Sequence, residues 1–317
     1  MWSGVNKNMR YTKFIIGGGI AGLTLAFYLD EYKVITTDLL GQLNSPIQLG
    51  PRIIQFDEYS FKFLTDVCQK YKLNADIIVK TAKIGYYEDS KVVDSVSDNF
   101  KQEYSMMTRG KREYESSFLS DGKNYISYLE LDCYGSDTFI KVFELIANKI
   151  KKRIIKQEVI AIHPHMNKII LKSFNNVKYT DVISTIPLSL LTKLLFIPTD
   201  YNFELLPKTF CLCKIENEVD KELSNLYSYI YTVKNIWSRK TYLGDNVLYE
   251  LVGDPVCKKI QGNSIINLKE NVKIQIKSSL KVDEISGIKL SGRYGRWDHS
   301  IKLNDVIKQA MELTNAI

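Results

Sequence analysis

Apolar and polar positions along the chain switch between strand-like alternation and helical spacing. Residues 11–16 form a short β-favouring run that stops at Gly17; residues 20–29 then place apolar side chains at helical spacing, and 33–37 return to a strand pattern. Together they predict a strand–helix–strand unit. Residues 39–56 hold two glycines and two prolines and predict a loop. Asp57 and Glu58 then open a helix whose apolar positions are Phe61, Leu64, Val67, Cys68 and Tyr71.

Further along, 76–94 predicts a hairpin turning at Glu88, Asp89 and Ser90, whereas 98–125 is polar, charged and poorly periodic. Ser136, followed by Phe139, Val142, Phe143, Ile146 and Ile150, marks an amphipathic helix. Strand patterns follow at 153–163, 168–173, 178–186, 208–216, 227–234 and 240–252. A last helix, 304–315, carries Val306, Ile307 and Ala310 on one face, with Leu303 just before it. No internal repeat or low-complexity segment interrupts this order. The strand–helix–strand unit stands alone at the start and strand-rich segments come much later. This predicts an α/β chain with a Rossmann-like nucleotide-binding domain built from separated pieces and a mixed α/β substrate domain inserted between them. The boundaries expected are 10–60, 137–195 and 286–317 for the first, and 61–136 and 196–285 for the second.

The chemistry is concentrated at the first turn. Gly17, Gly19 and Gly22 form a Gly-x-Gly-x-x-Gly motif between the first strand and the helix opened by Ile20 and Ala21, with Asp38 lying 21 positions beyond Gly17. Gly17 permits the tight turn, Gly19 lets a pyrophosphate approach the backbone, and Gly22 lets helix and strand pack closely. The helix N-terminus offers unpaired N–H groups to phosphate oxygens, and Asp38 is placed to accept from a ribose hydroxyl.

The motif resembles the opening block of the FAD proteins grouped as amine oxidases, protoporphyrinogen oxidases and UDP-galactopyranose mutases, and three later segments extend the resemblance. Residues 49–54, with Gly50, Pro51 and Arg52, are similar to the loop that these proteins place over the flavin; Arg52 stands where the mutases usually carry His. Residues 181–187 look like the strand returning to the FAD domain. Gly292 and Arg293, with Arg296 and Trp297 following, and then Leu303, Asn304 and Asp305 at a helix start, look like the closing block. The resemblance implies FAD as cofactor and a glutathione-reductase-type fold. It places Arg52, Arg293 and the 303–305 backbone around the flavin, where fixed dipoles favour the charge that develops on reduction. Arg239 and Trp297 are the substrate candidates, and Arg52 and His299 the candidates for a catalytic role.

Composition narrows the alternatives. The formal charge of +7, from 43 Lys+Arg against 36 Asp+Glu, suits an anionic small-molecule substrate or a basic surface. Only eight of those 43 residues are Arg and the lysines are scattered, so nucleic-acid binding is not expected. With 45% hydrophobic and 11% aromatic residues, the chain is not disordered. Five cysteines, odd in number and lacking Cys-x-x-Cys pairs, exclude a disulfide scaffold and suggest a reducing, cytoplasmic setting. Cys211 and Cys213 are expected to pack on opposite faces of their strand. The apolar run 14–29 is shorter than the roughly 20 residues of a membrane span and is broken by glycines, so neither a span nor a signal peptide is expected. His163 and His165 flank Pro164 in a predicted turn with no further ligand type nearby, so no metal is expected.

These readings converge on an FAD-dependent oxidoreductase of the amine-oxidase-like group that transfers a hydride from a small molecule to flavin N5. Two alternatives stand beside it: a redox-neutral, sugar-nucleotide enzyme like the galactopyranose mutases, using reduced flavin, and a non-catalytic FAD-binding protein. No second Gly-x-Gly-x-x-Gly motif is present to serve a dedicated nicotinamide domain.

Overall fold

The computed structural model describes residues 12–41, 53–109, 124–201, 203, 205–233, 235, 237–251, 259–276, 280–298 and 300–315. The chain divides into two compact units: residues 1–44, 142–202 and 279–317 form the first, and 45–141 with 203–278 the second. Among the described residues, no helix is long and apolar enough to cross a membrane.

The first unit is built on a sheet of order Glu284–Ile285, Ile288–Leu290, Asn176–Ser184, Thr12–Gly18, Tyr32–Leu39 and Ile154–Lys156. The last five run parallel. A strand covered on both faces needs apolar residues in succession, which is why Phe14, Ile15 and Ile16, then Val34 and Ile35, then Val182 and Ile183 are consecutive and all buried. The helices Ile20–Tyr28 and Leu303–Asn315 pack on each other, and the helix Thr138–Ile150 buries Val142, Phe143 and Ile146. Arg153 closes the end of the first helix. Its guanidinium donates to the carbonyls of Ala26, Leu29 and Tyr32 at 2.6, 2.9 and 3.2 Å, satisfying acceptors that the helix cannot.

The second unit holds a sheet of order Lys259–Ile260, Asn263–Ile276, Leu205–Lys214, Asn246–Leu251, Trp237–Leu243, Tyr229–Thr232, Ile77–Glu88, Tyr125–Leu131 and Ile54–Gln55. Its strands pair antiparallel except Tyr229–Thr232 with Ile77–Glu88. The expected hairpin turn is present: Asp89 and Ser90 both take left-handed φ, 49° and 67°, between Ile77–Glu88 and Lys91–Val93. Asp57 caps the helix Glu58–Tyr71, its carboxylate accepting from Ser60 N at 2.7 Å.

Register sorts the side chains of this sheet into two faces. Tyr231, Arg239, Glu250 and Phe210 lie opposite one another across successive strands and share one face; Ile230, Lys240, Tyr249 and Cys211 share the other. The helix Asp98–Arg109 packs Phe100 and Tyr104 against Tyr86 and Tyr231 on the first face. The helix Glu218–Leu226 packs Leu223 onto the second.

Several sequence expectations change here. Residues 98–109 are helical, although their packed side is too thinly apolar to show a period. Ile54 and Gln55 are not loop: they pair with Leu129 and Tyr128 in the second unit's sheet, although 10–60 was assigned to the first domain. The 240–252 run is two strands, folded back where Gly244 takes φ 60°. Cys211 and Cys213 do not face opposite ways. Residues two apart on a strand point to the same side, and both thiols are buried with Sγ atoms 3.6 Å apart.

Candidate functional site

The glycine turn of the first unit is shaped by three different steric demands. Gly17 takes φ 114°, and a Cβ there would overlap Thr185 Oγ1. A Cβ on Gly22 would overlap the Gly17 carbonyl oxygen, so only glycine lets this helix sit so close to the strand. Gly19 is different: a Cβ there would meet no atom of the described residues within 4 Å. It also begins the helix Ile20–Tyr28 in an extended conformation, φ −75° and ψ −172°, with no side-chain cap. The first N–H groups of that helix, including those of Ile20 and Ala21, have no partner within the helix and lie at half-buried positions.

The neighbouring elements close around this turn. Leu40 N donates to Gly18 O at 2.8 Å, bringing the end of Tyr32–Leu39 against the glycines. Asp38 lies exposed one residue before that end, its backbone pinned by Thr36, whose hydroxyl donates to Asp38 O at 2.6 Å. On the other side, Thr185 N donates to Ile16 O at 2.9 Å, and Ser291 N donates to Ser184 O at 2.9 Å. The segment after Ser291 then turns onto the first helix. Gly292 takes φ 76°, and a Cβ there would lie 2.7 Å from Ala21 Cβ; one on Gly295 would lie 2.9 Å from Ser184 O. The structure thus brings Gly17, Gly19, Ile20, Ala21, Gly22, Asp38 and Gly292 to one place.

The rest of the closing block is held by its own hydrogen bonds. Arg293 Nε donates to Ile301 O at 3.1 Å, and Asp298 N to Arg293 O at 2.9 Å. Asp305 accepts from Lys302 N at 2.8 Å, which orders the start of Leu303–Asn315; Leu303 and Asn304 there are half-buried. Trp297 lies inside the first unit, fully buried with φ 50°. Arg239 belongs to the second unit, where its guanidinium donates to Glu250 at 2.7 Å and lies 5.9 Å from the centre of the Tyr231 ring. Burial would lower the Arg239 pKa, but the Glu250 carboxylate outweighs it and holds the group firmly protonated. Gly50, Pro51, Arg52 and His299 lie outside the described residues.

Four polar residues at this site were not singled out from sequence. Thr36 and Thr185 fit against Gly18 and Gly17, and Ser184 and Ser291 have buried hydroxyls with no hydrogen-bond partner among the described residues. Ser184 and Thr185 fall within the 181–187 segment that the family resemblance marked, which was the one available signal.

No family model matches the chain, and no curated protein matches it. Solved structures do. The chain is similar to reduced UDP-galactopyranose mutase, with a TM-score of 0.63 at 11% identity over 96% of this chain and 95% of that one. It is similar to a CLA-producing fatty acid isomerase from P. acnes, with a TM-score of 0.60 at 10% identity over 98% and 100%. A redesigned putrescine oxidase gives a TM-score of 0.59 at 10% identity over 96% and 98%. These likenesses span nearly the full length of each chain, and at such identities they speak for the fold. The chain has the Rossmann-like α/β fold that these solved structures share.

Proposed function

We propose that the first unit binds FAD and that the chain is an FAD-dependent oxidoreductase of the amine-oxidase-like group, acting on a small molecule. The glycine turn carries this reading: among the described residues, protein atoms occupy the space beside Gly17 and Gly22, whereas none lies in front of Gly19. That is the fit a pyrophosphate requires at the start of a helix. The N–H groups at Ile20 and Ala21 would donate to phosphate oxygens, and Asp38 would accept from the adenosine ribose. Gly292, packed on Ala21, fixes where the closing block begins, so that Arg293 and the start of Leu303–Asn315 would bring positive potential to the flavin. The flavin, when bound, supplies the hydride acceptor. The chain's own contribution is to orient the substrate and exclude water. Gly50, Pro51 and Arg52 would line the flavin, Arg52 and His299 remain the candidates for a catalytic role, His299 as acid or base, and Arg239 for placing a substrate, whereas the buried Trp297 would support the site from behind. Few and unpatterned cysteines favour a reducing, cytoplasmic setting.

The redox-neutral sugar-nucleotide reading keeps one specific support, the resemblance of the 49–54 loop and the Gly292–Arg293 block to the mutases. Purified protein should show a flavin absorption spectrum and release FAD on denaturation. Bleaching by amines under anaerobic conditions favours the oxidoreductase. Binding of a uridine diphosphate sugar to the reduced protein, with no net reoxidation of the flavin, favours the mutase-like reaction. A colourless protein that takes up no added FAD removes both.

Gly19→Ser separates ligand from fold. Its backbone angles suit any residue and Ser is a favoured N-cap, so apo stability should change by less than about 0.5 kcal/mol. FAD affinity should fall about tenfold or more, a loss of about 1.4 kcal/mol, measured by equilibrium dialysis. Unchanged affinity would place the cofactor elsewhere.

A further inference from the structure

The positive charge of this chain is not spread evenly along it. Residues 149–197, all in the first unit, carry eight lysines and Arg153 against two acids, Glu158 and Asp181. Their formal +7 equals the charge of the whole sequence. Within this stretch the strands Val159–His163 and Lys168–Leu171 and the start of Asn176–Ser184 form an antiparallel meander. His163, Lys168 and Lys178 lie opposite one another across its three strands and share a face. Lysine directly opposite lysine costs a strand pair stability rather than adding to it.

Two phenylalanines on the same meander also work against the fold. Phe196 follows the helix Leu188–Leu194 and its cap residue Leu195, with φ 54°. Its N–H donates to Lys193 O, and that of Ile197 to Thr192 O, both at 3.1 Å, a helix closure that usually takes glycine at this position. Phe174 turns the chain between Lys168–Leu171 and Asn176–Ser184 with φ 59°, its N–H donating to Leu171 O at 2.8 Å. A bulky side chain is disfavoured in the left-handed region, and Gly or Asn would serve both turns better. Burial does not offset this cost. Phe174 is 84% exposed, Phe196 69%, and Met166, in the turn after His163, 59%. The Phe196 ring stacks on His163 with centres 6.3 Å apart, which brings it beside Lys168. The strand that separates this end of the meander from Phe174 has four residues, about 13 Å of chain. Exposed apolar side chains and lysines therefore occupy one small surface.

We propose that this surface docks on an anionic lipid bilayer, with Phe174, Phe196 and Met166 entering the acyl boundary and the surrounding lysines meeting the headgroups. That pairing of apolar tips with lysine is what an anionic interface rewards. Nucleic-acid recognition leans instead on arginine, and the single arginine here, Arg153, is spent on closing the first helix. The contact is peripheral and does not involve the glycine turn, so it holds whether or not the first unit carries flavin.

Flotation of the full chain with lipid vesicles tests this. Binding to phosphatidylcholine vesicles containing about 30 mol% phosphatidylserine should be about tenfold or more tighter than to phosphatidylcholine alone. Raising the salt from about 0.1 to about 0.5 M should weaken it about fivefold or more. Phe174→Asn combined with Phe196→Asn removes both rings where Asn suits the backbone. This double variant should melt close to wild type and bind about tenfold or more weakly. Lys168→Glu should cut the preference for phosphatidylserine about fivefold. Should the double variant melt well below wild type, Lys168→Glu and the salt series decide. Binding that is absent, equal on the two vesicles, or undiminished in the folded double variant or in Lys168→Glu overturns the proposal. Tighter binding to a single-stranded oligonucleotide than to the vesicles also overturns it and assigns the surface to nucleic acid.

Discussion

Gly22→Ala is expected to strip flavin from the chain and to destabilise the first unit by about 3 kcal/mol, the upper part of the range for overpacking. The added methyl would overlap the carbonyl oxygen of Gly17. That atom is backbone, in a residue already held at φ 114° against Thr185, so it has no rotamer to give. Either the helix Ile20–Tyr28 moves off the strand or the turn opens, and in both cases its N–H groups leave the position that a pyrophosphate needs. The contrast with Gly19→Ser is the informative part: one variant should lose flavin with the fold intact, the other should lose both. FAD per chain and hydrogen exchange in residues 12–39 give the two readings. Full retention of flavin by Gly22→Ala would show that the glycine turn serves only helix packing.

Asp220→Ala is expected to destabilise the second unit by about 3–5 kcal/mol, the cost of leaving one member of a buried ion pair alone. Lys240, 5% exposed, would lose its counter-ion, and Tyr242, Tyr249, Asn217 and Asn263 would lose their acceptor at Asp220 in the same step. The same network predicts acid sensitivity. Burial by itself would raise the Asp220 pKa, but Lys240 and the surrounding donors outweigh it and hold it at about 2 rather than 3.8. The unfolded chain therefore binds the proton more readily than the folded one. The stabilisation is complete above about pH 4 and is lost as pH falls through about 2. Hydrogen exchange across residues 237–251, compared between pH 5 and pH 2, should show protection falling in the wild type. In Asp220→Ala it should already be low at pH 5. Protection in the variant within a factor of five of wild type at pH 5 would mean the network adds little.

Features that depend on neighbours in sequence were legible in it. The Gly17, Gly19 and Gly22 spacing, the Asp57 cap, the Asp89–Ser90 turn and the face of Leu303–Asn315 are local, because a turn or a cap is decided within a few residues by backbone sterics and nearby hydrogen bonds. The family resemblance of the Gly292 block rested on a motif in the same way. Tertiary structure alone decided what meets across distance. It set Gly292 against Ala21, paired Arg239 with Glu250, and turned Cys211 and Cys213 to the same buried face as Lys240. It also gathered residues 217, 240, 242, 249 and 263 around the Asp220 carboxylate. No periodicity announces such a cluster. The members come from one helix with its cap and three strands, each at an ordinary position, and strand register, set by the packing of whole faces, brings their polar atoms within bonding distance.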